Sequence, residues 1–311
     1  MKGRITVIKN REEILFIYDV TDANPNGDPL DENKPRIDEE TGINIVTDVR
    51  LKRTIRDYLL NYKGYDGEGD KDIFVKEVAS EKGKGLKDGK SRAKDFNDSP
   101  EEVLKKAIDI RLFGGVIPLE KDSITFTGPV QFNMGRSLNK VNTKHIKGTG
   151  AFASKDGKAK TFREEYILPY SLIAFHGIIN ENAAKETMLK GEDIDLMEEA
   201  IWNGTKNLIT RSKMGHMPRL YIRVQYKEDL NYFIGDLQKK INIESEMEDF
   251  KIRSTKDYKL DLTTLLKELF DNKDKIEKIF YIYDRTLKLQ YEGEDFCFKE
   301  ETGLSFEEIT Y

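Results

Sequence analysis

Residues 14–18, ILFIY, run without a break into residues 19–29, DVTDANPNGDP. Five consecutive apolar side chains leave no polar face, so the segment reads as a strand covered on both sides, at the centre of a sheet. The Asn, Pro, Gly and Asp that follow stop the strand and build a long loop. Beyond it, Thr47 and Asp48 mark a helix start, and Leu51, Ile55, Tyr58, Leu59 and Tyr62 recur at helical spacing. At about 100° per residue these five share one arc, whereas Arg50, Lys52, Arg53 and Arg56 occupy the facing half of the wheel. The expectation is a helix apolar inside and basic outside.

From residue 63 to 118 the character changes. Gly-rich and Lys-rich stretches (GYDGEGD, EKGKGLKDGKSRAKDF) surround a helix start at Ser99-Pro100, with Glu102 placed for a capping box. This reads as an inserted subdomain. Residues 124–132, ITFTGPVQF, form a strand interrupted at Gly128-Pro129, and residues 166–179, YILPYSLIAFHGII, a second strand with a proline near its start. The segment between them is rich in Gly, Ser, Thr and Asn and poor in core residues, the composition of a protruding hairpin. A second helix spans residues 194–209, with Ile194, Met197, Ile201, Trp202 and Leu208 as its buried set. Residues 219–227 then alternate strictly, Leu220, Ile222, Val224 and Tyr226 against Arg219, Tyr221, Arg223, Gln225 and Lys227, which predicts a strand with one wet face. Strand, helix, strand, strand, helix, strand is the order of an α+β, ferredoxin-like or RNA-recognition-motif fold, here with two insertions. Residues 228–311 add a helix near 262–269 and a strand at 279–283, with no signal of an independent domain.

The chain has 311 residues, 52 Lys and Arg and 57 Asp and Glu, for a net charge of −5. The local balance says more than the total. Residues 50–63 hold five bases against one acid (+4), residues 135–164 eight against two (+6), and residues 204–227 six against none (+6). Acids concentrate elsewhere, seven in residues 181–199 and seven in residues 292–311. Three basic segments converging on one groove would suit a polyanion. A single cysteine, Cys297, and three scattered histidines, His145, His176 and His216, exclude a disulfide scaffold and a zinc finger. No GxSxG, Walker A, GxGxxG or HExxH string occurs, so no cofactor is expected. No segment has the length of a membrane span, and the start lacks the features of a signal peptide, so the expected location is cytoplasmic, with no membrane partner.

Four segments in this order, DVTDANPNGDPLDENKPRIDEETG, TDVRLKRTIRDYL, ITFTGPVQFNMGRSLN and RSKMGHMPRLYIRV, resemble the backbone subunit of type I CRISPR surveillance complexes (Cascade), in the RAMP superfamily, of the Csh/Csd kind and most like subtype I-B. The likeness covers residues 10 to 230. It implies a hand: a palm over residues 1–62, 123–133 and 166–227, a finger insertion over 63–122, a thumb hairpin over 134–165, and a C-terminal extension, 228–311, packed on the palm. It implies a non-catalytic protein that assembles head to tail with copies of itself along a CRISPR guide RNA, joins other Cascade subunits, and presents the guide for pairing with a target DNA strand in antiviral defence. The RNA-contacting residues it implies are Asn24 and Asn26 of the loop, Arg50, Lys52, Arg53 and Arg56 of the first helix, Arg136, Ser137, Lys140 and Lys144 at the thumb, and Arg211, Lys213, Met214 and His216 before the last palm strand.

The residues themselves leave other readings open. His216 is a candidate ligand, acid or base, and with His145 it is the group an RNA-cleaving rival would need. A protein-interaction module without nucleic acid is the other rival. His176 reads as a satisfied core histidine and Trp202 as core. Tyr221, on the expected wet face, is a candidate stacking platform. Asp22, Asp28 and Asp31 raise target-RNA cleavage as in related type III backbone subunits, but Asp and Asn are also what such a turn requires.

Overall fold

The computed structural model describes residues 7–80, 85–120, 122–153, 160–298 and 303–311. Strand β1 (Glu12–Ala23) lies in the middle of a ten-stranded sheet. On one side it pairs antiparallel with the long β8 (Lys160–Ile179), Phe16 opposite Phe175; on the other with β9 (His216–Tyr226), Phe16 opposite Tyr221. Beyond β8 come β5 (Val130–Phe132), β6 (Gly135–Lys140), β7 (Lys144–Ala153) and β2 (Ile43–Val46), the last reached through β6. Beyond β9 come β10 (Ile276–Tyr283), antiparallel, and β11 (Phe306–Glu308), parallel to β10. The chain is a mixed α+β fold built on this sheet.

Both faces of β1 are covered, which is why its sequence is apolar without alternation. Ile14, Phe16, Tyr18 and Val20 face α1 (Asp48–Tyr62) and α6 (Gly191–Lys206), which follows the short α5 (Glu181–Thr187); Leu15 and Ile17 face a second core built with residues 228–298. That C-terminal region includes α7 (Thr263–Asp271), whose Leu265, Leu266 and Leu269 are buried in the second core. A pinned carboxylate helps hold it. Glu13 is fully buried and accepts from His176 Nε2 at 2.9 Å, from the amides of Ile234 and Gly235 at 2.8 Å each, and from the Tyr226 hydroxyl. Burial alone would raise its pKa; these donors hold it below the usual carboxylate value.

The strand read through Gly128-Pro129 is two strands with different partners. Ser123–Thr127 (β4) pairs with Gly114–Pro118 (β3) in a separate two-stranded sheet, while β5 joins the main sheet. Helices α2 (Gly89–Lys94), α3 (Pro100–Lys106) and α4 (Ile108–Phe113) pack with this hairpin around Phe74, Phe96, Val103 and Ile110. Ser99 caps α3, accepting from the Glu102 amide, but its own amide bonds the Phe96 carbonyl, so Glu102 does not complete the expected capping box.

Three expectations are corrected. The outer arc of α1 is not a free basic face. Lys52 is buried, bonds Asp48 at 3.0 Å and Gln131 at 3.2 Å, and sits 5.6 Å from the Phe113 ring; Arg56 bonds the fully buried Asp109 at 2.8 Å over the same ring. The insertion packs there, which a helical wheel cannot show, and Tyr62, placed on the buried arc, is exposed. Strand β9 has no wet face: Tyr221 and Arg223 are buried under α6, where Arg223 bonds Glu198 and Glu12 at 2.6 Å each, so Tyr221 is not a stacking platform. Finally, α6 ends at Lys206, and Leu208 is half-buried beyond it. Ile194, Met197, Ile201 and Trp202 are buried as read.

Candidate nucleic-acid interface

One end of the sheet gathers four loop segments. β1 runs out into residues 24–26; the α6–β9 connection returns beside it; β2 delivers the chain to the start of α1; and β6 lies against β2, Arg136 opposite Ile45. The asparagines of the loop are its fasteners. Asn26 Oδ1 accepts from both the amide and the hydroxyl of Thr47, at 2.9 Å each, in place of a side-chain cap from Thr47 itself. Asn24 is buried; its side-chain amide donates to the Asn33 carbonyl at 2.7 Å and its backbone N–H donates to the Ser212 carbonyl at 2.9 Å. Asp28 bonds Arg36 and receives the Leu30 amide, and Asp31 bonds Lys34, so both serve the turn.

The connection before β9 is locked by Gly215. Its φ is +111°, and a Cβ there would stand 2.4 Å from the Thr21 carbonyl oxygen. The close approach also makes the bond from the Thr21 amide to Gly215 O, 3.1 Å. This fixes Lys213 and His216 on the β1 side. The ammonium of Lys213 donates to the carbonyls of Asn24 and Pro25, the latter at 2.9 Å, and meets no carboxylate among the described residues. Burial, reinforced by nearby Arg50, lowers its pKa to about 8. His216 stacks on Tyr18 at 5.7 Å and bonds the Lys213 carbonyl through Nδ1; burial and the Lys213 charge lower its pKa to about 3. It is a neutral, buried ring, unsuited to acid or base work near neutrality. Its Nε2 is buried without a hydrogen-bond partner among the described residues, as is Arg50 Nε.

Arg50 is half-buried in the first turn of α1, donates to Thr54 Oγ1 at 3.0 Å, and like Lys213 has no carboxylate within ion-pair distance among the described residues. Burial lowers its pKa too. Two cations held close together, Lys213 on neutral carbonyls and Arg50 with Asp57 acting on it only from beyond ion-pair distance, form a site that favours an anion. The other exposed groups of the predicted set are Arg53, paired along the helix with Asp57; Arg136, 3.5 Å from Asp38; Arg211, paired with Glu165; Met214, 70% exposed; and Lys140 and Lys144, which lie toward the C-terminal region.

The predicted set is therefore divided. Asn24, Asn26, Arg50, Lys213 and His216 converge on the loop end, with Arg136 beside them and Met214 exposed on the same connection. Lys52 and Arg56 are turned into the inserted helices. Ser137 is buried in the sheet, accepting from the Asn44 amide and donating to the Asn139 carbonyl. Lys155 and Lys158 of the basic segment 135–164 lie outside the described residues. Sequence reading passed over Tyr18, whose place in an apolar run conceals that its ring backs His216, and the requirement for Gly215, signalled only by its setting in KMGHMP.

Comparison with known proteins agrees with this architecture. Residues 10–263 match the family model described as CRISPR-associated protein Cas7. A protein of Haloferax volcanii named CRISPR-associated protein Cas7 is 33% identical over 310 residues, covering 90% of this chain and 88% of its own. Among solved structures, chains of a "CRISPR RNA-guided surveillance complex, pre-nicking" and a "CRISPR RNA-guided surveillance complex" superpose with TM-scores of 0.54 and 0.51. They are 10% and 12% identical, each alignment covering 91% of this chain and 96% or 95% of the other, so they speak to the fold. With a family model spanning most of its length and a curated relative matched almost end to end, the chain belongs to the CRISPR-associated protein Cas7 family.

Proposed function

We propose that the protein is a non-catalytic backbone subunit of a type I Cascade complex, which binds guide RNA along the loop end of its sheet and assembles with copies of itself and other subunits on that RNA. The observation that carries the reading is the pair Arg50 and Lys213, partly buried cations with no carboxylate in ion-pair distance among the described residues, together with the exposed Arg136 and Lys140 of β6. Phosphates supply the missing counter-charge without sequence readout, which suits a protein that delegates recognition to guide-target pairing with DNA.

The strand order β9-β1-β8-β5, with α1 and α6 as the two crossing helices, supports a ferredoxin-like palm. Residues 63–122 are then its fingers, 134–165 its thumb, and 228–311 an extension over the palm's second face. The buried His216 and the turn bonds of Asp28 and Asp31 favour binding over cleavage. No helix among the described residues is long and apolar enough to cross a membrane, in keeping with a cytoplasmic complex.

The test is titration of a labelled single-stranded RNA at several salt concentrations, with the RNA recovered on a denaturing gel. Intact RNA and an affinity falling with salt, by a log-log slope of about 0.7 per phosphate contact, are expected. Arg136→Ala and Lys140→Ala should each reduce that slope by about one contact's worth. Salt-insensitive binding, or RNA cut into fragments, would overturn the proposal.

A further inference from the structure

A second basic cavity lies away from Arg50 and Lys213, where the C-terminal region meets the start of the β7–β8 hairpin. It has a volume of 180 Å³ and is lined by Val141, Asn142, Lys144, Pro169, Tyr170, Phe250, Lys251 and Arg253. That is several times the ~30 Å³ of one water and below the ~300 Å³ at which pockets begin to enclose drug-sized molecules. It is space for one planar ring.

The wall from the C-terminal region is a built turn. Asp249 Oδ2 accepts from the Lys140 amide at 2.9 Å, which ties the 3-10 turn Asp249–Lys251 to the end of β6. Arg253 Nη1 donates to the carbonyls of Phe250 and Ile252 at 2.7 Å each, and the Arg253 and Ser254 amides close onto Asp257 at 2.9 Å. These bonds hold Phe250 at the rim with 44% of its surface exposed. Three cations surround it. Lys251 has an exposed ion pair with Glu248, while Lys144 and Arg253 meet no carboxylate among the described residues. No acidic residue is among the described residues that line the cavity, and Asn142 offers an amide that both donates and accepts.

An aromatic rim, a ring-sized space, an amide and three cations are the parts of a single-stranded nucleic-acid subsite. Lys140, whose amide anchors the turn, also belongs to the basic strand that leads from Arg136. We infer that this cavity takes one nucleotide of single-stranded RNA, its base against Phe250 and its phosphates on Lys144, Lys251 and Arg253, so that the C-terminal region extends the RNA path beyond the palm. The inference rests on the RNA-binding reading above.

The test uses a 4-thiouridine-substituted single-stranded RNA, cross-linked by light and mapped by mass spectrometry, together with affinities of Phe250→Leu and Lys251→Glu. Both side chains are exposed, so unchanged melting temperatures are the control for folding. A cross-linked peptide containing Phe250 and a loss of about 5- to 100-fold for Phe250→Leu, the range of one base stacked on an aromatic, are expected. If the wild type binds RNA and Arg136→Ala weakens it, while both variants bind normally and no cross-link falls in residues 249–254, the subsite is wrong and the RNA-binding reading stands. If those variants instead weaken self-association alone, the cavity is a protein contact and the inference fails. A wild type that neither binds nor cross-links to RNA overturns both readings.

Discussion

Replacing Arg56 by Ala separates a structural cation from a binding one. Arg56 is 14% exposed at its side chain and bonds Asp109, which is 0% exposed and also accepts the amides of Phe74 and Val75 at 2.7 and 3.0 Å. Removing the guanidinium leaves a buried carboxylate with two amides and no charge partner, a change of about 3–5 kcal/mol. Unfolding entropy of about 2.1 cal/mol/K per residue makes 1 kcal/mol worth about 1.5 °C in a chain of this length unfolding as one unit. The midpoint should therefore fall by about 5–8 °C for Arg56→Ala. Arg53→Ala, on the same helix, removes only an exposed pair with Asp57, worth up to about 1 kcal/mol, and should move it by less than about 1.5 °C. Differential scanning calorimetry of the RNA-free protein decides. A melting temperature for Arg56→Ala equal to that of Arg53→Ala would show that the insertion is not anchored through Asp109.

Lys213, with its pKa lowered to about 8, is charged at pH 7 and largely neutral by pH 9, so RNA affinity should fall as pH rises through that window. A charge-assisted bond is worth about tenfold or more in affinity; Lys213→Met should flatten the profile, and a flat wild-type profile would sink the assignment. Folding responds with the opposite sign: the folded pKa lies below the unfolded value of 10.5, so the cost of burying the charge is present below pH 8 and relieved between pH 8 and 10.5, where stability against denaturant should rise. Gly215→Ala, forcing a Cβ against the Thr21 carbonyl at φ +111°, should destabilise by more than about 1 kcal/mol and weaken RNA binding with it; unchanged values for both would refute the close approach. Glu13→Ala should speed hydrogen exchange at the Ile234 and Gly235 amides, each losing a bond worth about 1–3 kcal/mol if left unmade, and exchange at the wild-type rate would show that Glu13 does not hold that segment.

Those elements whose neighbours lie close in sequence, or whose pattern is strong, were legible. The apolar run of β1, the periodicity of α1 and α6, the Ser99-Pro100 helix start and the alternating β9 all appear where the sequence places them. What failed was inference about what covers a face. The alternation of β9 says that its two faces differ, and Arg223 suggests that one is wet; only the fold brings Glu12 and Glu198 to neutralise that guanidinium under α6. The same holds for Lys52 and Arg56, whose partners Gln131 and Asp109 lie 79 and 53 residues further along. Gly128-Pro129 was visible as a break, but not as the point where the chain leaves one sheet for another.

A count of bases therefore overstates the surface available to phosphate, and the partner of each base is the better guide. Lys52, Arg56, Lys63, Arg219 and Arg223 stand in the basic windows, yet each faces a carboxylate, Asp48, Asp109, Glu199, Asp19 and, for Arg223, both Glu12 and Glu198. These pairs are wholly or partly buried, and opening one to reach a phosphate would strand a carboxylate away from water. Arg53 and Arg211 are paired at the surface, where exchange of a carboxylate for a phosphate costs little. Arg50 and Lys213 hold no carboxylate within ion-pair distance among the described residues, and an arriving anion favours the charged form that burial disfavours on both. Binding energy from RNA should accordingly concentrate at the two cations that the fold leaves least comfortable. The five with carboxylates of their own should govern stability instead.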